Sequence, residues 1–175
     1  MRKTERFRVH GANSLWNVYD TVGFWKVMKC FTVISIARIT PFLRMKNWMY
    51  RTFLGVQVGE KTSFGLMVML DSMFPEKIKV GSNCIIGYNT TILAHEYLID
   101  EYRLGDVIIE DEVMIGANST ILPGVVIGKR AVVAAGSVVH KDIPEGCFAG
   151  GNPVQIIYTK EQMEERRKND PFFQE

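Results

Sequence analysis

The stretch TTILAHEYLI, Thr90 to Ile99, sets one titratable ring, His95, among aliphatic residues. Imidazole changes protonation near neutral pH. It is therefore suited to take a proton from a hydroxyl or amine as that group attacks a carbonyl. A base of this kind needs a partner to orient it. Glu96, Asp100 and Glu101 lie close in sequence, and a main-chain carbonyl would serve as well. Metal chemistry is not expected. The three histidines are His10 in the N-terminal tail, His95, and His140 far along the chain; the three cysteines, Cys30, Cys84 and Cys147, are widely spaced and match no ligand pattern.

The elements that must position His95 follow a period of six. Ile109, Ile115, Ile121, Ile127, Val133 and Val139 are all β-branched, and Val80, Ile86 and Ile92 carry the pattern upstream. Val58, Phe64 and Leu70 extend it more weakly, and Leu98 falls on the count after Ile92. Neither a helix nor a hairpin array repeats at six. Stacked short strands of a parallel β-helix do. The aliphatic residue points inward, a small residue four places later fits the turn, and Asn83, Asn89 and Asn118 stand three places after it, where positive φ is wanted. His95 occupies that third place after Ile92, which reads as an outward corner. Leu98 to Ile109 breaks the count, so residues 99 to 106, IDEYRLGD, must leave the coil as a loop. A titratable corner residue beside an interruption is a functional candidate.

The run IGANSTILPGVVIGKRAVVAAGSVVHKDIPEGCFAGGNPVQII, with its V-x-K-D-I-P and G-x-P exit, resembles the C-terminal coils of hexapeptide-repeat acyltransferases, the galactoside, maltose and polysaccharide O-acetyltransferase group. The resemblance covers about residues 56 to 157. It implies a left-handed parallel β-helix of about five coils, against the general preference for right-handed crossovers. It also implies a homotrimer with active sites between subunits. The family's catalytic histidine stands just before an extruded loop, which implies His95 as general base. Acetyl-CoA is implied as acyl donor. Gly116 and Ala117 in the IGAN turn, with Ala135, match positions that meet the pantetheine arm or a developing oxyanion through backbone atoms; Lys141 matches the basic residue near the ribose phosphate end.

Departures from the family pattern matter. Gln155 and Tyr158 stand where arginines follow the exit, leaving Lys160 or the cluster Arg166, Arg167 and Lys168 to meet the adenine end. On the acceptor side the candidates are Asn89 and Asp71, the latter as a hydroxyl ligand in the apolar SFGLMVMLDSMF. A small-molecule or glycan acceptor is implied, with a cell-envelope saccharide or lipid-linked glycan the more natural one. Three other readings compete. A zinc hydratase on this fold would need about three histidines converging on each metal. A catalytically silent trimeric scaffold would not need His95. An N-acetyltransferase acting on an amino sugar or xenobiotic would use the same base.

Outside the repeat, residues 1 to 55 read as a helical, basic and aromatic segment. Its VMKCFTVISIARITPFL, Val27 to Leu43, is interrupted by Lys29, Arg38 and Pro41 and is too short to span a bilayer. The interleaved cations suit a helix lying on a membrane surface, although packing against the main domain or a neighbouring subunit is favoured. Residues 158 to 175 read as a helix opened by a Thr159–Gln162 capping box and stopped at Asp170-Pro171. The start of the chain lacks the apolar stretch of a signal peptide. A net charge of +2 gives nucleic acid little to hold, and odd, scattered cysteines fit a reducing cytoplasm, with the inner membrane face as a further location.

Overall fold

The computed structural model describes residues 2–173. Its body is a prism with three faces, each a parallel sheet. The first face stacks Gln57–Val58, Ile78–Val80, Val107–Ile109 and Val126–Ile127. The second stacks Ser63–Phe64, Ile85–Ile86, Met114–Ile115, Val132–Val133 and Phe148–Gly150. The third stacks Met69–Leu70, Thr91–Ile92, Thr120–Ile121 and Val138–Val139. The hexad aliphatics meet in register, Ile86 beside Ile115 and Ile115 beside Val133, and fill the interior with side chains shielded from water.

Turn chemistry explains the regularity. Lys61, Met67, Asn83, Asn89, Glu112, Asn118 and Arg130 all take φ between 53° and 62°, three residues after an inward apolar residue. Gly124 and Gly136 fill the same place later, at φ of 77° and 70°. A column of left-handed corners is the geometric reason the period is six rather than two.

The prism's first coil gives its N–H groups to the second coil, as in Gly59 N to Val80 O and Ser63 N to Cys84 O. Most of its strand carbonyls therefore face an open end, the edge at which a sheet would otherwise add another strand, while the corner carbonyls of Glu60 and Leu66 accept from Asn83 and Asn89 N–H. Helices α2 (Phe24–Ile39) and α3 (Leu43–Leu54), which follow the short α1 (Val18–Thr21), pack across that end. Side chains of α3 cap the carbonyls. Lys46 donates to Phe64 O at 3.1 Å and Gly65 O at 2.9 Å, Asn47 to Thr62 O at 2.7 Å, and Arg51 to Val58 O at 2.8 Å. Lys46 is buried, and desolvation pushes its ammonium below the ordinary lysine range.

Residues 1 to 55 are not helical throughout, because Glu5–Arg8 forms a strand. At the other end, Gln155–Tyr158 returns antiparallel on Phe148–Gly150 and leads into α4 (Lys160–Asn169), which opens on the Thr159–Gln162 capping box.

Candidate active site

Two interruptions stack on one corner of the prism, the one that follows the third face. Ile109 and Ile127 are 18 residues apart on adjacent coils, whereas Val80 and Ile109 are 29 apart and Val58 and Val80 are 22 apart. The longer insertion is a β-hairpin, His95–Tyr97 paired with Glu101–Leu104. Leu98 is thus at a hairpin tip and not on the core register, a correction to the six-residue count. The shorter insertion, between Leu70 and Ile78, includes the turn Pro75–Lys77. Leu70 and Val80 are ten residues apart, not a multiple of six, so this second break also stands in the sequence.

His95 is also not the outward corner residue that its slot suggests. It opens the hairpin strand, is absent from the positive-φ turns, and its side chain keeps only 15% of its surface exposed. Phe74 and Tyr97 meet its ring edge-on, with centroids at 5.9 and 5.1 Å.

The group that orients the ring is Asp71, from the other insertion. Its carboxylate is fully buried and its Oδ2 lies 2.5 Å from His95 Nδ1. The same oxygen accepts from the Ala94 and His95 N–H groups, and Oδ1 accepts from those of Met73 and Phe74. Burial alone would raise this carboxyl. The hydrogen bond and charge of His95, with the Phe74 and Ala94 N–H groups, outweigh it and hold Asp71 below the ordinary carboxylate range. An ionised carboxylate only accepts, so Nδ1 carries the proton and donates it. Nε2 is then the basic nitrogen.

This corrects two expectations. Asp71 is committed to His95 and four backbone donors and is not a free ligand for an acceptor hydroxyl. Glu96, Asp100 and Glu101 do not orient the ring either. Glu96 pairs with Arg2 at 2.8 Å, Glu101 with Arg6 and Arg103, and the Asp100 carbonyl accepts from Val9 N.

The N-terminal strand adds a third layer that the six-residue pattern could not announce. Glu5–Arg8 pairs antiparallel with Glu101–Leu104, and Thr21 and Tyr97 share a hydrogen bond of 2.7 Å between hydroxyls. Gly105 and Gly124 allow the strand to seat, since a Cβ on Gly124 would stand 2.6 Å from Lys3 O. The signal in the sequence is alternation in ERFR, too short to read alone. An open groove beside His95 is lined by Arg2, Leu15, Leu93, Tyr97, Leu98 and Arg103.

The remaining candidates lie elsewhere. Gly116, Ala117 and Ala135 stack on a different corner, the one that follows the second face. A Cβ on Gly87 would meet Ala117 N at 2.5 Å, and one on Gly116 would meet Ala135 N at 2.3 Å. Backbone touches backbone there, with Ala135 and Gly136 open to solvent. Such a wall fits a thin extended arm. Asn89 shares this corner and donates to Asn118 Oδ1 at 3.0 Å. Within one chain, neither Asn89 nor the alanines meet His95. Lys141 lies on His95's corner two coils further along, at 3.2 Å from Gln155 Oε1, one of the residues standing where the family's arginines would be. Lys160 is held by Glu145 at 2.8 Å, and Arg166 lies over the Tyr158 ring.

Comparison with known proteins places this geometry. Residues 106–141 match the family described as hexapeptide repeat of succinyl-transferase. The acetyltransferase-family protein YvoF of Bacillus subtilis is 71% identical, over 96% of this chain and 98% of that one. A Vibrio cholerae hexapeptide-repeat acetyltransferase, solved with acetyl coenzyme A, shares the fold at TM-score 0.66 and 24% identity, over 77% of this chain and 87% of that one. A maltose O-acetyltransferase of Clostridium difficile gives 0.58 at 25%, over 77% and 86%. The class is therefore the hexapeptide-repeat acyltransferases, whose frame is a left-handed β-helix. Within it, this chain belongs to the hexapeptide-repeat acetyltransferase family and is an acetyltransferase.

Proposed function

We propose that this acetyltransferase moves the acetyl group of acetyl-CoA to a hydroxyl of a saccharide or cell-envelope glycan, with His95 as general base. One observation carries the reading. The buried Asp71 carboxylate holds His95 Nδ1–H, which leaves Nε2 as the proton acceptor at an open groove. Nε2 takes the acceptor's proton as its oxygen bonds to the acyl carbon. It returns that proton to sulfur as the C–S bond breaks. Asp71 keeps its position and charge throughout and stabilises the ring while it is positive.

The frame is read as about five coils, and the working unit as a homotrimer with the site between copies. Two features favour this. The Ala117–Ala135 corner and the His95 corner are separate on one prism, so a neighbouring copy is the simplest way to join them. Outward positions of the second face, Ile85, Met114, Val132 and Phe148, form an apolar column along the axis, with Ile85 54% exposed. Sedimentation equilibrium at the mass of a single 19.9 kDa chain would remove this part of the reading.

The decisive experiment pairs calorimetry with turnover. His95→Ala is expected to bind acetyl-CoA with near-normal affinity while kcat falls by about 10³- to 10⁴-fold. Turnover close to wild type in that variant overturns His95 as the base. Loss of product ester in mild alkali distinguishes a hydroxyl acceptor from an amine.

A further inference from the structure

Helix α2 is apolar on two sides, and the prism covers one of them. Cys30, Ile34 and Ala37 face inward and are buried. On the opposite side Trp25, Met28, Ile36 and Ile39 run along the helix, with Trp25 82% and Ile39 70% exposed. From α3, Met45 and Trp48 continue this surface, Trp48 at 53%. Both helices lie across the same end of the prism. Their uncovered sides therefore form one surface facing along the prism axis, away from the coils. Large apolar patches of this kind mark an interaction site.

Charge decides the partner. From Thr21 to Gly59 the chain holds six cations and no acid. Lys26 is spent on Glu76 at 2.7 Å, and Lys46 and Arg51 cap the first coil's carbonyls. Lys29 and Arg44 stay exposed among the aromatics. The nearby acids, Glu76 and Glu60, belong to the prism and its rim. Tryptophans mixed with cations, on helices α2 and α3 that carry no acid, match the headgroup layer of an anionic bilayer, with Asp20 of α1 the exposed acid at the rim of the surface. A protein partner would be expected to meet at least one acid in return.

We propose that this end of the prism is a membrane-docking platform, seated flat on anionic phospholipid through α2 and α3. Among the described residues no helix is long and apolar enough to cross a membrane, so the contact is interfacial. The geometry also bears on the acceptor. His95 follows the second coil from this end, which places it about 20 Å from the lipid, given a helix layer of roughly 10 Å and coils about 5 Å apart. Phe24 meets both Tyr19 and Trp25 edge-on, and the three continue the apolar surface from the platform toward α1, whose Thr21 holds the His95 hairpin. An acceptor carried on a membrane lipid fits that height. The platform itself does not depend on the assignment of His95 or on the number of copies.

The test is flotation of the full chain with vesicles of phosphatidylcholine alone and of phosphatidylcholine mixed with phosphatidylglycerol. Binding to the anionic vesicles only, weakened by added salt and accompanied by a blue shift of tryptophan emission, is expected. Lys29→Gln and Arg44→Gln should each lower partitioning by about fivefold. Trp25→Ala with Trp48→Ala should abolish the blue shift while leaving acetyl-CoA binding intact. His95→Ala should float like wild type, which separates this proposal from the catalytic one. Absence of binding to the anionic vesicles overturns it. So does a wild-type assembly, without lipid, that the double tryptophan variant breaks into smaller units, because a second copy would then cover the surface.

Discussion

Two corners of the prism are made from the same six-residue repeat and are put to opposite uses. The corner after the second face runs without insertion from Gly65 to Gly150, and its glycines bring successive backbones into contact. The corner after the third face is broken twice within the first two coils. Its insertions supply Asp71, Phe74, His95 and Tyr97. Regular stacking pairs successive backbones and leaves little depth for a side chain to be buried outside the core. An insertion supplies what stacking cannot: a second layer of residues under which a carboxylate can be dried and held.

The contrast is tested most sharply at Asp71. Asp71→Asn would present an amide N–H, or an oxygen without charge, to His95 Nδ1 and upset the tautomer. It is expected to lower kcat by about 10²- to 10³-fold with little change in acetyl-CoA affinity, read by steady-state kinetics beside calorimetry. An unchanged kcat would mean that the pair is structural only. Stability should follow pH in a defined sense. The folded pKa of Asp71 is depressed below its ordinary 3.8, so its stabilisation is complete above that value and fades as pH falls through the lower folded one. Acid unfolding of Asp71→Asn should lack that contribution.

On the regular corner the expected effect is on stability. Gly116→Ala puts a methyl 2.3 Å from Ala135 N, and neither backbone can retreat without opening the coils. A loss of about 1–3 kcal/mol in urea unfolding is expected, with weakened acetyl-CoA binding. Gly136→Ala is the control for stability alone, since its Cβ would stand in the same groove. Nothing lies within 4 Å of its added Cβ, so only the strain of φ +70° remains, about 1–2 kcal/mol. Unchanged coenzyme affinity in Gly116→Ala would deny the corner its role as a groove wall.

The smallest effect belongs to the segment just before the strand that braces the hairpin. Arg2→Ala removes a partly exposed ion pair to Glu96, the residue beside His95. Its cost is about 1 kcal/mol or less, so kcat should fall no more than about fivefold. A larger fall would make Arg2 itself part of the groove's working surface and not only a brace for Glu96.

The sequence by itself determined the coil. An inward apolar residue every sixth place, mostly β-branched, and at most corners a left-handed residue three places later are local requirements that recur along the coil. It also marked His95, because a titratable ring beside a break in the period is visible without coordinates. The capping box at Thr159 was legible for the same local reason. Only the tertiary structure decided what His95 touches. Asp71 lies 24 residues before it, and the two meet because both insertions leave the same corner on adjacent coils. The ERFR strand reaches Glu101–Leu104 across more than 90 residues, and Lys46, Asn47 and Arg51 find the first coil's carbonyls only once the prism has an open end. Period fixes what a residue does to its neighbours in the chain; which residues then share a corner is set by how insertions of unequal length stack in space.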